Sequence, residues 1–342
     1  MIRFLIGASY YRSDKISGDS DEGGTGLLAP IQKSYDVLGE AYVALRHEEH
    51  KMTLYRQIID LPYLNKSDSR MVPNTFEAYM LRGLFRDQPV VGDVEYAAGY
   101  VDQIKRKTSD SFISMAQAAG AVGVDRGLFT AGIAIQPTTN FLIGAVDHYV
   151  DDVFNTLYLE SNYTRELTDD LDLRFDTQFT HQQSVGDELL IGDDFSTWML
   201  SGRLAASWKG LMCTAAAAKI NEDARIRNPY GSYPGFVSLM QSDFNSANEE
   251  SWLLGVSYDF ERVGLKGLSS FVNYARGNNA QTSSGADLPD TEEVNITADY
   301  KVDEGILRGF WLRVRWSHLD FSGDAGNSDE LRVILNYEFP IL

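Results

Sequence analysis

The sequence predicts an all-β chain, an antiparallel transmembrane β-barrel of about sixteen strands. Three observations predict it: a hydrophobic period of two held over eight to ten residues at a time, connections that alternate between short and long, and aromatic residues gathered at strand ends. The composition agrees. The 342 residues include 17 Phe, 18 Tyr, 5 Trp and 29 Gly but only 9 Pro, which suits many strands joined by tight turns. Hydrophobic content of 44% argues against global disorder. A net charge of −19 argues against tracking nucleic-acid phosphates. No apolar run is long enough for a transmembrane helix. The single cysteine, Cys213, excludes an intramolecular disulfide and a cysteine-rich zinc site.

The alternation is clearest late in the chain. Leu331, Val333, Leu335, Tyr337 and Phe339 interleave with Arg332, Ile334, Asn336 and Glu338. Phe310, Leu312, Val314 and Trp316 interleave with Trp311, Arg313, Arg315 and Ser317. The same holds at 171–180, 252–260 and 294–301. Such strands have one apolar and one polar face. Sixteen segments read this way: 2–12, 34–48, 50–61, 76–85, 94–106, 127–136, 140–149, 153–164, 171–183, 195–207, 210–220, 250–260, 267–277, 292–301, 308–319 and 329–340. Counted back from the C-terminus, their connections alternate. Those at 320–328, 278–291, 221–249 and 184–194 are long or medium, and those at 302–307, 261–266, 208–209 and 165–170 are short. Short turns at one end and long loops at the other is the layout of an outer-membrane barrel. The pattern weakens at 150–152, where a long loop is due.

A soluble β-protein also alternates. An even strand count above that of a sandwich favours the membrane. So does the gathering of Tyr10, Tyr11, Tyr258, Phe260, Tyr300, Phe310, Trp311, Tyr337 and Phe339 at strand ends, where interfacial girdles form.

The segment SDSRMVPNTFEAY at Ser67–Tyr79 resembles the signature of the OprD-like family of substrate-selective outer-membrane porins. WLRVRW at 311–316, followed after a loop by DELRVILNYEF, resembles that family's closing hairpin. GTGLLAP at Gly24–Pro30, VLGEAYV at Val37–Val43 and the NPYGSYPGFVSLMQSDF run of the 221–249 loop are also similar to it. The resemblance spans essentially the whole chain. It implies eighteen strands behind a cleavable signal peptide, whereas Met1-Ile2-Arg3-Phe4-Leu5 already reads as strand. The expectation is one barrel domain, 1–342, lacking an N-terminal hairpin and its leader. The alternative is a true sixteen-strand barrel closed by its first and last segments, since unpaired sheet edges in lipid are costly.

The polar face is expected to carry function, because the other face is apolar by requirement. Arg313, Arg315 and Arg332 share such a face on neighbouring strands, and Arg174 and Arg203 lie on polar faces of their own strands. The resemblance implies a ladder of luminal arginines that guides anionic groups. A guanidinium stays charged and grips carboxylates bidentately, and a row of weak sites lets a solute enter and leave. The plainer reading is that these arginines pair with luminal acids; Asp172, Asp176, Asp299 and Glu338 are candidates. Arg70, beside Asp68 in the family-like turn, reads as either a substrate contact or a structural turn residue. The loop near 107–126 reads as an inward-folded constriction loop. There Ser109, Ser111 and Ser114 offer hydrogen bonds, while Phe112 and Met115 brace it; the alternative is a surface loop. Arg225, Arg227, Tyr230 and Tyr233 in the 221–249 loop read as a lid for aromatic or carboxylate solutes, or as an ordinary exposed loop.

Catalytic patterns are weak. His47-Glu48-Glu49-His50 lacks His-Glu-x-x-His spacing and falls at a turn. No nucleophile elbow or phosphate loop appears. Asp151-Asp152 and Asp193-Asp194 read as solvated turns before they read as cation bridges to lipopolysaccharide. Cys213 reads as inert packing. The expected function is passive, selective uptake of small carboxylate-bearing solutes (organic acids, aromatic acids or amino acids) across the outer membrane of a Gram-negative bacterium. No enzyme activity, cofactor, metal or nucleic-acid partner is expected. Outer-membrane lipid and lipopolysaccharide are the expected surroundings, and the chain is expected as a monomer or weak trimer. The rivals are a barrel enzyme with a Ser–His pair near His148 or His318, and a closed structural or adhesive barrel.

Overall fold

Alternating side chains give each strand a carbon-rich face and a hydrogen-bonding face, and a computed structural model of the protein shows where each face goes. The structure describes residues 1–21, 26–67, 72–190, 194–323 and 326–338. Sixteen strands of eight residues or more run through them. They are β1 (Ile2–Ser13), β2 (Tyr35–His47), β3 (His50–Gln57), β4 (Thr75–Gln88), β5 (Gly92–Lys105), β6 (Leu128–Thr138), β7 (Phe141–Val150) and β8 (Phe154–Thr168), then β9 (Leu171–Ser184), β10 (Ser196–Trp208), β11 (Leu211–Ile220), β12 (Glu250–Asp259), β13 (Leu268–Asn278), β14 (Thr291–Lys301), β15 (Phe310–Phe321) and β16 (Asn327–Tyr337). Each corresponds to one predicted segment.

The ends differ where local chemistry intervenes. The 50–61 segment stops at Gln57, and Asp60–Leu61 turns back on Leu64–Asn65 around Pro62, which has no N–H to donate to a ladder. The predicted long loop at 320–328 shrinks because β15 and β16 both extend into it. Phe339 and Leu342 lie outside the described residues.

The chain forms two compact units. The first comprises 1–159, 180–196 and 227–234; the second comprises 160–179, 197–226 and 235–342. In the first, β1 to β7 form one antiparallel run in chain order. In the second, β10 to β16 do the same. Inside each run, backbone donors and acceptors are therefore satisfied strand to strand, as a lipid environment demands. The short turns need glycine where the chain reverses closely. Gly309 has φ 89, and a Cβ there would sit 2.2 Å from the Glu338 carbonyl oxygen. Within the sheet, Gly7 makes room for the Tyr42 ring, which would lie 2.4 Å from a Cβ.

The faces are reversed relative to a soluble protein. In β14, Glu293, Asn295 and Thr297 are 2% exposed or less, whereas Ile296 and Tyr300 on the other face are 44% and 45% exposed. In β16, Leu331, Val333 and Leu335 are at least 60% exposed, and Arg332 between them is partly covered. An aqueous fold would not leave so wide an apolar surface bare, and hydrocarbon is the solvent that suits it. Tyr11 and Trp311 depart from the predicted girdle. Each turns to the polar face and donates to a carboxylate, Tyr11 to Glu40 at 3.0 Å and Trp311 to Asp299 at 2.7 Å. A hydrogen bond from the polar tip to a carboxylate outweighs the interface.

Val333→Arg should cost about 2–4 kcal/mol of folding free energy in liposomes. Asn336→Arg, on the opposite face of the same strand, should cost under about 1 kcal/mol. Denaturant titration of the refolded protein measures both, and equal costs would contradict the assignment of faces.

Candidate functional site

Register gathers the late arginines. Arg313 lies opposite Asp299, Arg315 opposite Thr297, and Arg315 opposite Arg332. Arg313 grips Asp299 with two bonds of 2.7 and 3.0 Å and stacks over the Trp311 ring, 4.7 Å from its centroid. Arg315 donates to the Thr297 hydroxyl at 3.3 Å. Arg332 holds Glu330, two residues back on the same face, at 2.5 and 2.6 Å. On β9 and β10, Asp176 takes Arg174 at 2.7 Å, Arg203 at 2.8 Å and Asn162 at 2.9 Å. Arg203 also lies over Phe236, at 4.3 Å. The arginines thus sit on polar faces as predicted, and the paired reading also holds for Arg174, Arg203, Arg313 and Arg332.

The exposures decide what such a face displays. The Asp176 and Asp299 side chains are 0% and 8% exposed, while Arg174, Arg203 and Arg313 are 48%, 31% and 29% exposed. The acids lie beneath and the cations on top. Arg332 and Glu330 run the other way. Of the other acid candidates, Asp172 shares the face of Asp176, and Glu338 lies past the end of β16 and is exposed. Arg70 and Asp68 fall outside the described residues.

The 106–127 loop folds back on its own strand. Ile113–Ser114 pairs with Gln103–Ile104, and the short helix α1 (Met115–Ala119) follows. The Ser114 hydroxyl caps that helix, accepting from the Gln117 N–H at 3.2 Å and donating to the Val124 carbonyl at 2.9 Å. Ser114 is therefore a structural cap rather than a solute contact. Met115 is fully buried, and Phe112 lies under the Arg56 guanidinium at 4.2 Å. Ser109 and Ser111 bond to each other, Ser109 half-buried and Ser111 exposed.

The 221–249 loop divides. Arg225 donates to Asn245 at 3.3 Å. Arg227 is held at its backbone by Gln182 and lies over Phe195 at 5.1 Å. Tyr230 and Tyr233 are buried, Tyr230 against Phe154 and Tyr233 against Tyr63. Burial pushes the Tyr230 phenol well above its usual range. These two tyrosines pin the loop and do not form an open lid. Residues 240–242 are tied down by Glu293, whose carboxylate accepts the N–H groups of Met240, Gln241 and Ser242 at 2.9, 3.0 and 2.7 Å. Glu293 escaped the sequence reading because its partners lie 51 to 53 residues away. Its one signal was a charge in the inward register of a strand.

Strands with carbon turned outward, charges held on the sheltered face and long loops anchored against it are the parts of an outer-membrane channel. The outer membrane porin, OprD family, matches residues 2–341, and the chain belongs to that family. It is 23% identical over 373 residues to Porin D of Pseudomonas aeruginosa, covering 100% of this chain and 82% of that one. OccK9 (OpdG) of P. aeruginosa is similar in structure with a TM-score of 0.88 at 22% identity, over 98% of this chain and 86% of that one. OccAB3 of Acinetobacter baumannii has a TM-score of 0.87 at 17% identity, over 98% and 87%. P. aeruginosa OpdK with vanillate has a TM-score of 0.82 at 21% identity, over 92% and 83%. Porins of this family are passive channels for small solutes and not enzymes.

Two predictions concern the anchored loop. Glu293→Gln should raise the rate of protease cleavage at 235–245 severalfold, because an amide oxygen accepts N–H bonds less strongly than a carboxylate. Burial raises the Glu249 carboxyl to about 7, against an accepted bond from the Ser246 N–H at 2.8 Å and the Arg225 charge, which both lower it. The folded-state value lies above the unfolded one. Protection of the loop should therefore be greatest below about pH 4.5 and fall as pH rises through about 7. Glu249→Gln should remove that dependence, and a proteolysis series across pH measures it.

Proposed function

We propose that this porin passes small carboxylate-bearing solutes (organic acids, aromatic acids or amino acids) on its arginine-bearing polar face. The observation that carries the reading is the grouping of Arg313, Arg315 and Arg332 in one register, each held by an acid or a hydroxyl that fixes its geometry. A solute carboxylate meets a guanidinium already oriented, and it competes with an internal partner for it. Binding is then weak enough to allow release. Trp311 beside Arg313 offers a ring edge and face to an aromatic acid. P. aeruginosa OpdK has been crystallised with vanillate, and the same chemistry suits the arginine face here. In the other unit, Ser109 and Ser111 offer hydroxyls to a polar solute, with Phe112 and Met115 holding their loop in place.

The triple variant Arg313→Gln, Arg315→Gln, Arg332→Gln should weaken block by benzoate in planar bilayers by about 10- to 100-fold, as expected for loss of charge-assisted bonds. Conductance in KCl should persist. Unchanged block in a channel that still conducts would sink the proposal.

A further inference from the structure

In the second unit, the short turn from β14 to β15 and the end of β16 border a cavity of about 840 Å³. Its lining includes Val302, Asp303, Ile306, Arg308, Tyr337 and Glu338. That volume falls within the range of small-molecule sites, about 300–1,000 Å³. Backbone bonds fix its walls. The Gly309 N–H donates to the Val302 carbonyl at 2.9 Å, and the Glu338 N–H donates to the Gly309 carbonyl at 3.1 Å.

The charges around this cavity differ from those of the arginine face. Arg313 and Arg332 are held by acids. Among the described residues, Arg308, Asp303 and Glu338 make no side-chain hydrogen bond and no ion pair, and all three are exposed. The place of the cavity is set by its apolar lining. Tyr337 continues the exposed row of Leu331, Val333 and Leu335 on the apolar face of β16, and Ile306 beside it is 96% exposed. Tyr300 is exposed on the same kind of face, one residue before the end of β14. Two phenols at strand ends mark a membrane–water interface, and short turns face the periplasm in such barrels. The cavity therefore lies at the headgroup level of the periplasmic leaflet, on the outer rim.

We propose that it binds the headgroup of a phospholipid that carries a phosphate and a primary ammonium, the ethanolamine class. Arg308 takes the phosphate in charge-assisted bonds. Asp303 and Glu338 accept from the ammonium, which has three N–H groups to donate. Val302, Ile306 and Tyr337 lie against the glycerol and the first chain carbons. The charge count sets the preference. One cation beside two carboxylates suits a zwitterion. A purely anionic headgroup would face two uncompensated acids, and a choline headgroup has no N–H to offer them. Bound lipid supplies the partners that the three charges lack and covers Ile306. The site is on the membrane rim, so it does not depend on which solute the channel passes.

Native mass spectrometry of the refolded full chain in detergent tests this, with dioleoyl phosphatidylethanolamine, phosphatidylcholine or phosphatidylglycerol added one at a time. The wild-type chain should retain the ethanolamine lipid about tenfold more tightly than either of the others. Arg308→Gln should lower that retention by about tenfold. Asp303→Asn with Glu338→Gln should erase the preference for ethanolamine over choline. Heat-modifiable mobility on gels checks that each variant is folded, and the wild-type ranking stands without any variant. O-phosphoethanolamine in excess should displace the lipid only weakly, because it lacks the glycerol and chains. Displacement as effective as by the lipid itself would assign the cavity to a free zwitterion and overturn the lipid site. Equal retention of the three lipids by the wild-type chain, or a preference that survives both sets of substitutions, would overturn it as well.

Discussion

Asp176 and Asp299 sit beneath the guanidinium groups they hold, and much of the polar face depends on that layering. A carboxylate sheltered from water is costly by several kcal/mol unless it is paired, so each acid requires its arginine. The arginine, which is longer and planar, satisfies the acid with one edge and keeps the other toward the solvent. The protein is strongly acidic overall at −19, yet such a face displays cations. Arg332 is the exception, more covered than its partner Glu330. It stands opposite Arg315 in the register of β15 and β16.

The same economy of buried acids organises the loops. Glu293 gathers three backbone N–H groups from residues 240–242, and Glu249 closes the end of that loop against Gly277. In the first unit the 106–127 loop is held instead by a helix cap, a buried methionine and a cation over a ring. Rigid loops matter in a passive channel, because a fixed constriction selects by size and charge without an energy source.

Strand identity was legible in the sequence because the period of two is imposed by lipid on one side and polar groups on the other. All sixteen segments appear, and the ends that moved most lie at Pro62, at Gln88, at Thr168 and at the hairpin joining β15 to β16. The arginines of β15 and β16 were legible because they alternate with carbon. Their partners were legible only as candidates, since Asp299 meets Arg313 through register, which no single strand reveals. The lid reading of Tyr230 and Tyr233 failed because aromatic residues in a glycine- and proline-bearing loop suit an open lid and a buried plug equally well. Their partners Phe154 and Tyr63 lie more than seventy residues away.

The measurement that bears most directly on this account is the reversal potential of the wild-type channel under a sodium benzoate gradient. Arginines layered over buried acids predict a potential whose sign shows benzoate crossing more readily than sodium, despite the acidic chain. A sodium-selective potential would mean that the net charge governs the path, and it would contradict the account.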